Sequence, residues 1–247
     1  MHHFGLVMQF LRDRQTFLVE VAKGVRIESK IISFLICSVT FLALYGAIIG
    51  LSHSWLQMVS SAIKLPALYL ITLMICLPTL YIFEVVSGSS RTFGQYLALL
   101  LASTSVISVM MIAFAPVTLF FHLSINDYTF FKLLNVAIFV ITGIVGINFF
   151  YRGMMLVSDA EFNRNATEVM PVVDATADAN STPPLKPRGA GVIKAWLVLY
   201  GFVGSQLGWT LRPFFGTPDR PFSLFRELES NFYAHILYTI THLLLPN

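Results

Sequence analysis

"QYLALLLASTSVISVMMIAFAPVTLFF", residues 95 to 121, runs without a single charged side chain. A helix needs roughly 20 apolar residues to cross a ~30 Å hydrocarbon core, so this stretch reads as a membrane span. The rest of the chain has the same character: 56% of residues are apolar, 14% aromatic and only 12% charged. Mean hydropathy is +0.73, and soluble domains carry about 25% charged residues. Similar stretches at 31–51, 66–86, 130–151 and 192–211 bring the expected spans to five. The expected fold class is all-α: an integral membrane helical bundle of five transmembrane helices plus N-terminal and C-terminal interfacial helices.

Four segments follow from this pattern: an amphipathic N-terminal helix (1–30), a four-span unit (31–156), a flexible linker (157–191) and a last span with its tail (192–247). The linker is poor in large apolar residues and rich in Ala, Asp, Asn, Thr and Pro. In the N-terminal segment Phe10, Phe17 and Val21 share a helical face with Leu11 and Leu18 beside them. Such a helix either lies on the membrane surface or closes over the ends of its own spans. Charges ahead of Ile31, and no small-residue cleavage site after the first span, mark that span as a retained anchor. With a cytoplasmic N-terminus the 16 Lys and Arg divide eleven inside against five outside. That favours the N-in orientation.

Prolines punctuate the spans. Pro66 opens the second, while Pro78 and Pro116 lie inside the second and third and remove one hydrogen bond each. Between the first two spans, "SHSWLQMVSSAIK" (52–64) reads as a short amphipathic connector with Trp55 at interfacial depth.

Catalytic chemistry has little to work with. Glu84 and His122 stand near span ends, there is no HExxH and no pair of intramembrane aspartates, and the six histidines lack metal-ligand spacing. No enzyme activity, metal, cofactor or nucleic-acid partner is expected. Cys37 and Cys76 fall within spans as small apolar fillers.

Small residues at four-residue spacing are the stronger signal. "GAIIG" aligns Gly46 with Gly50, and "GFVGSQLG" aligns Gly201 with Ser205 and Gly204 with Gly208. Such faces allow close helix approach, either within the bundle or against another subunit. Ser105, Ser108 and Gln206 define a possible polar path; together with Asn135 they equally serve as interhelical hydrogen-bond donors. After the last span come Trp209 and Arg212 at interfacial depth, then Pro213, Phe214, Phe215 and Gly216 where helix cannot continue. A short helix carrying Arg226 and Glu229 follows, and residues 231–246 form an interfacial, re-entrant or sixth spanning helix. This outer patch has the content of a docking surface.

The stretches "FLICSVTFLALYGAIIG", "AIKLPALYLITLMICLPTLY", "FAPVTLFF", "FKLLNVAIF" and "FVGSQLGWTLRPFFG" resemble an uncharacterised family of bacterial, chiefly cyanobacterial, polytopic membrane proteins. The layout is also similar, in topology alone, to Yip-type membrane proteins of trafficking pathways. The resemblance implies a bacterial inner (plasma) membrane or thylakoid and no particular activity. The expected function is a non-catalytic scaffold or accessory subunit. It has membrane lipids around it and a protein partner or a homo-oligomer docked through the fifth span and outer patch. The alternative is a small channel or carrier for an uncharged or lipidic substrate.

Overall fold

The computed structural model describes residues 2–51, 54–89, 91–124, 128–169, 190–211 and 214. These form seven helices: α1 (His2–Arg12), α2 (Arg14–Ala22), α3 (Ile27–Gly50), α4 (Trp55–Val86), α5 (Phe93–Ser124), α6 (Tyr128–Val169) and α7 (Ala190–Thr210). Four helices have the length and apolar content to cross a membrane: α3, α4, α5, and α6 over Leu133–Ser158. The chain is therefore all-helical in its described part and has the makings of a membrane protein. In α5, the helix that opened the sequence argument, 67% of the apolar window is buried, the highest share of the four.

Two helix limits differ from expectation. The connector is part of α4, which starts at Trp55 and includes Pro66 and Pro78 without interruption. Ser54 caps it, its Oγ accepting the Gln57 N–H at 3.2 Å. A Cβ on Gly46 would collide with the Ser61 carbonyl and come within 3.1 Å of the Ala62 Cα. The turn whose ladder Pro66 breaks is thus seated on α3, and tertiary contact holds the helix where local sequence favours a start. The longer α4 also places Lys64 well inside the helix, with 5% exposure. At its other end the four-span unit overshoots, since α6 continues to Val169 through the opening of the segment read as linker. Helix-forming Met, Leu, Ala and Glu carry it through the described residues to Val169. The rest of that segment up to 189, and everything after Phe214, including the stretch expected to form a C-terminal helix, lies outside the described residues.

The chain divides into two compact units, each taking one end of every helix from α3 to α7. Successive helices therefore run antiparallel within each unit. Unit 1 comprises residues 1–37, 77–107 and 143–197. Here the N-terminal segment is two helices, broken at Asp13, whose Oδ1 accepts the Thr16 N–H at 3.2 Å as the N-cap of α2. Of the two readings of this segment, the structure takes closure over the chain's own helices. Phe10 meets Phe17, Phe34 and Phe149 edge to face, with centroids 4.7, 5.1 and 5.5 Å apart. Val21 and Leu18 are buried with them. Gly24, at φ +75°, ends α2: its own N–H reaches the Val21 carbonyl and the Val25 N–H reaches Glu20, a Schellman closure. Gln95 of α5 then donates to the Val21 and Ala22 carbonyls at 2.9 and 3.0 Å, fixing the end of α2 to the start of α5.

Unit 2 comprises residues 38–76, 108–142 and 198–247. Its organising contact is α3 on α4. A Cβ on Gly50 would lie 2.5 Å from the Gln57 carbonyl oxygen and 2.6 Å from the Met58 Cα, so the two backbones meet with no side chain between them.

Gly46→Val should lower the thermal midpoint of the detergent-solubilised chain sharply, because backbone has to move; overpacking alone costs about 1–3 kcal/mol. Gly143→Ala, where nothing lies within 4 Å, should leave it unchanged or slightly raised. Circular dichroism on heating reads both. The cap hydrogen bonds from Thr16 hold the Asp13 carboxyl below its ordinary value of 3.8. A depressed folded value means the stabilisation is present above 3.8 and is lost as pH falls through the folded value. Asp13→Asn, which still caps, should remove that part of the acid sensitivity in a titration of helicity between pH ~5 and ~2.

Candidate functional site

Unit 1 holds a buried ion pair at the end of α4. Gly88, at φ +89°, closes α4 by a second Schellman motif, its N–H on Val85 and that of Ser89 on Glu84. The reversal sets Arg91 back beside Glu84, guanidinium nitrogen to Oε2 at 3.9 Å, with 7% and 4% exposure. Tyr96, fully buried, donates its hydroxyl to Ser89 at 2.8 Å and to Glu84 at 3.4 Å, and its ring lies 5.6 Å from the Arg91 guanidinium carbon. The Met154 sulfur of α6 lies 3.8 Å from Arg91. Opposite charges flanking the short S-G-S-S turn were the signal available in the sequence. Chemically the cluster is a clamp, a guanidinium held beside a carboxylate.

In unit 2 the corresponding device is neutral. Tyr45 donates to the Asn135 side-chain oxygen at 2.9 Å and lies 3.2 Å from the Thr118 hydroxyl, joining α3, α5 and α6. All three residues are fully buried, and the Asn135 amide donates to the Phe131 carbonyl at 2.9 Å. Asn135 is among the interhelical donors that the sequence suggests; Tyr45 is not, since one tyrosine in an apolar run gives no periodic signal. The polar face of α5 is likewise consumed inside the chain: Ser103 donates to the Gly146 carbonyl and Thr104 to Leu100. Ser105 and Ser108 are fully buried on the same helix, while Gln206 on α7 is half-buried.

The small-residue faces are used unequally. Gly46 and Gly50 are filled by α4, as described above. On α7, among the described residues, Gly204 meets the Thr72 side chain at 3.6 Å, and Gly201 and Gly208 have nothing within 4 Å. Ser205 bonds back to the Phe202 carbonyl at 2.8 Å. Val198, Gly201 and Ser205 follow one helical stripe, with Phe202 at its edge. Val198 is 74% and Phe202 50% exposed. The opposite side of α7 is anchored in unit 1 by Trp196, a residue missed from the sequence. It is buried with its indole N–H on the Thr79 hydroxyl at 3.2 Å and its ring 5.3 Å from Phe150.

Of the outer patch, Trp209 ends α7 half-buried and Phe214 is tied down through its carbonyl. That oxygen accepts from Ser61 at 2.7 Å and from the Gln57 amide at 3.2 Å, both side chains buried on α4. Arg212, Pro213, Phe215, Gly216, Arg226 and Glu229 lie outside the described residues. Cys37 and Cys76 are buried and are not joined in a disulfide. Among the described residues no group of three His, Cys, Asp or Glu side chains is placed to hold a metal.

Tyr45→Phe should weaken the bundle by about 1–2 kcal/mol, since Asn135 loses a donor where no water replaces it. Removing Tyr45 and Asn135 together (Tyr45→Phe with Asn135→Leu) should cost less than the sum of the single changes. Unfolding in mixed micelles with rising dodecyl sulfate measures the cycle.

Comparison with protein-family models, with curated proteins and with solved structures gives no match for this chain.

Proposed function

We propose that the chain is a non-catalytic integral membrane protein of five spans that assembles with a second copy of itself through α7. The observation that carries this reading is the α7 face: among the described residues nothing lies within 4 Å of a Cβ on Gly201 or Gly208, whereas Gly46 and Gly50 are seated on the backbone of α4. Against lipid alone a flat glycine face gains little, because an acyl chain cannot interlock with it as a helix does. A second α7 can, and a two-fold axis through the face would make one surface serve both copies. The 21 residues of α7 extend about 31 Å at 1.5 Å each, enough for a fifth crossing. Its weaker apolar signal comes from Lys194 and Gln206.

The distribution of Lys and Arg supports a cytoplasmic N-terminus, with α1 and α2 on that side. The resemblance to bacterial polytopic proteins supports an inner (plasma) membrane or thylakoid. Of the outer patch, Phe214 lies just beyond α7 and is held in place through its carbonyl by Ser61. The buried polar groups described above join the chain's own helices, which favours a structural role over a transport path.

A Cβ at Gly201 or Gly208 meets no atom of the described residues within 4 Å, so Gly201→Leu and Gly208→Leu should leave the monomer folded. They should lower the dimer fraction at least tenfold in native mass spectrometry from lipid nanodiscs, while Gly143→Leu should not. Dimers that survive both α7 changes, or a wild-type chain that stays monomeric at every protein-to-lipid ratio, would refute the proposal.

A further inference from the structure

The break between α1 and α2 creates a feature that assembly does not use. Because the chain turns at Asp13 and again after Gly24, α1, α2 and the start of α3 enclose a cleft of about 440 Å³. That volume falls in the range of small-molecule sites. Its wall carries two carboxylates, Asp13 and Glu20, and two cations, Arg26 and Lys30. Lys30 is buried, 2.8 Å from Glu20 and 5.3 Å from the centre of the Phe17 ring, so the inner wall is already a neutral pair. Asp13 and Arg26 stand exposed at the mouth, one negative and one positive. Arg26 is also the only non-glycine among the described residues at positive φ, +50°, a conformation that a long side chain adopts at an energetic cost.

The cleft lies at a defined depth. α3 is charged up to Lys30 and apolar from Ile31 onward, which puts the cleft where head groups meet hydrocarbon. Ser29, on the cleft wall, shares a helical face with Ile32 and Ile36, and these two are 51% and 40% exposed. A charged pocket therefore leads directly onto an apolar track. That is the outline of an amphiphile.

We propose that the cleft holds the head group of a phospholipid bearing both a phosphate and a primary ammonium, with the phosphate on Arg26, the ammonium on Asp13 and the acyl chains along Ile32 and Ile36. The balance of charge selects this class. A purely anionic head group would leave Asp13 and Glu20 facing negative charge, and a quaternary ammonium can donate no hydrogen bond to Asp13. Nor is the aromatic face that would suit a quaternary group open, since Lys30 occupies the Phe17 ring.

Two substitutions test the site without undoing the fold: Arg26→Gly relieves the positive φ, and Asp13→Asn preserves the cap. The full chain is placed in nanodiscs with equal parts of phosphatidylethanolamine, phosphatidylcholine and phosphatidylglycerol of identical acyl chains. Native mass spectrometry should find phosphatidylethanolamine retained at least tenfold over each of the others. Asp13→Asn should bring it down to the phosphatidylcholine level, and Arg26→Gly should lower both, with helicity unchanged by circular dichroism. Retention that follows bulk composition, a preference for phosphatidylglycerol, or indifference to both substitutions would overturn the assignment. So would displacement of the lipid by millimolar phosphoethanolamine, which would mark a site for a water-soluble ligand instead.

Discussion

Much of unit 2 depends on one contact, the seating of Gly46 and Gly50 of α3 on the backbone of α4 at Ser61 and Gln57. In hydrocarbon there is no hydrophobic drive between helices, so close backbone approach is what favours one helix pair over lipid. The residues on which the glycines rest have a second task. The side chains of Gln57 and Ser61 hold the carbonyl of Phe214, just beyond α7. A side chain larger than hydrogen at position 46 or 50 would displace the turn that carries both donors. The start of the outer patch therefore inherits its position from two glycines in the first span.

The same scarcity of water explains where the polar groups go. Tyr45 with Asn135 and Ser103 with Gly146 join helices at fully or nearly buried positions, and Gln95 with the end of α2 does so at the rim. Even the charged pair Glu84 and Arg91 is held to its own turn by Tyr96 and Ser89. Groups committed in this way stabilise the bundle and are poorly placed to do chemistry, because a catalytic acid or base must exchange its proton with a substrate. What the chain leaves open are surfaces: the small-residue side of α7, and the cleft at the head-group level of α3. Those two surfaces carry the proposed functions.

Sequence reading succeeded where the signal was long and physical. Uncharged runs located α3, α5 and the core of α6, because the bilayer imposes length directly. It failed where a local signal met a tertiary one. Pro66 looked like a helix start and is interior to α4, since the turn before it is held against α3. The fall in apolar content after residue 156 looked like the end of a helix, yet α6 needs only helix-forming residues to continue to Val169. The "GAIIG" and "GFVGSQLG" faces share one spacing, and the sequence favoured the fifth span for docking because a linker sets it apart; that "GAIIG" is filled by the backbone of α4 is visible only in the structure. Trp196 and Tyr45 were illegible for a simpler reason. Each is a single contact across long sequence separation, and nothing in its own neighbourhood announces the partner.

The most direct test of the central claim, assembly through α7, is a distance between two copies. A spin label at Ser205→Cys in an otherwise wild-type chain reports it, because Cys37 and Cys76 are buried away from the reagent. Helices that pack through small residues lie about 8–10 Å apart at their axes. In dilute nanodiscs the account predicts a strong, narrow dipolar coupling at short distance between labels on paired α7 helices. A signal no greater than that of randomly placed monomers would contradict it.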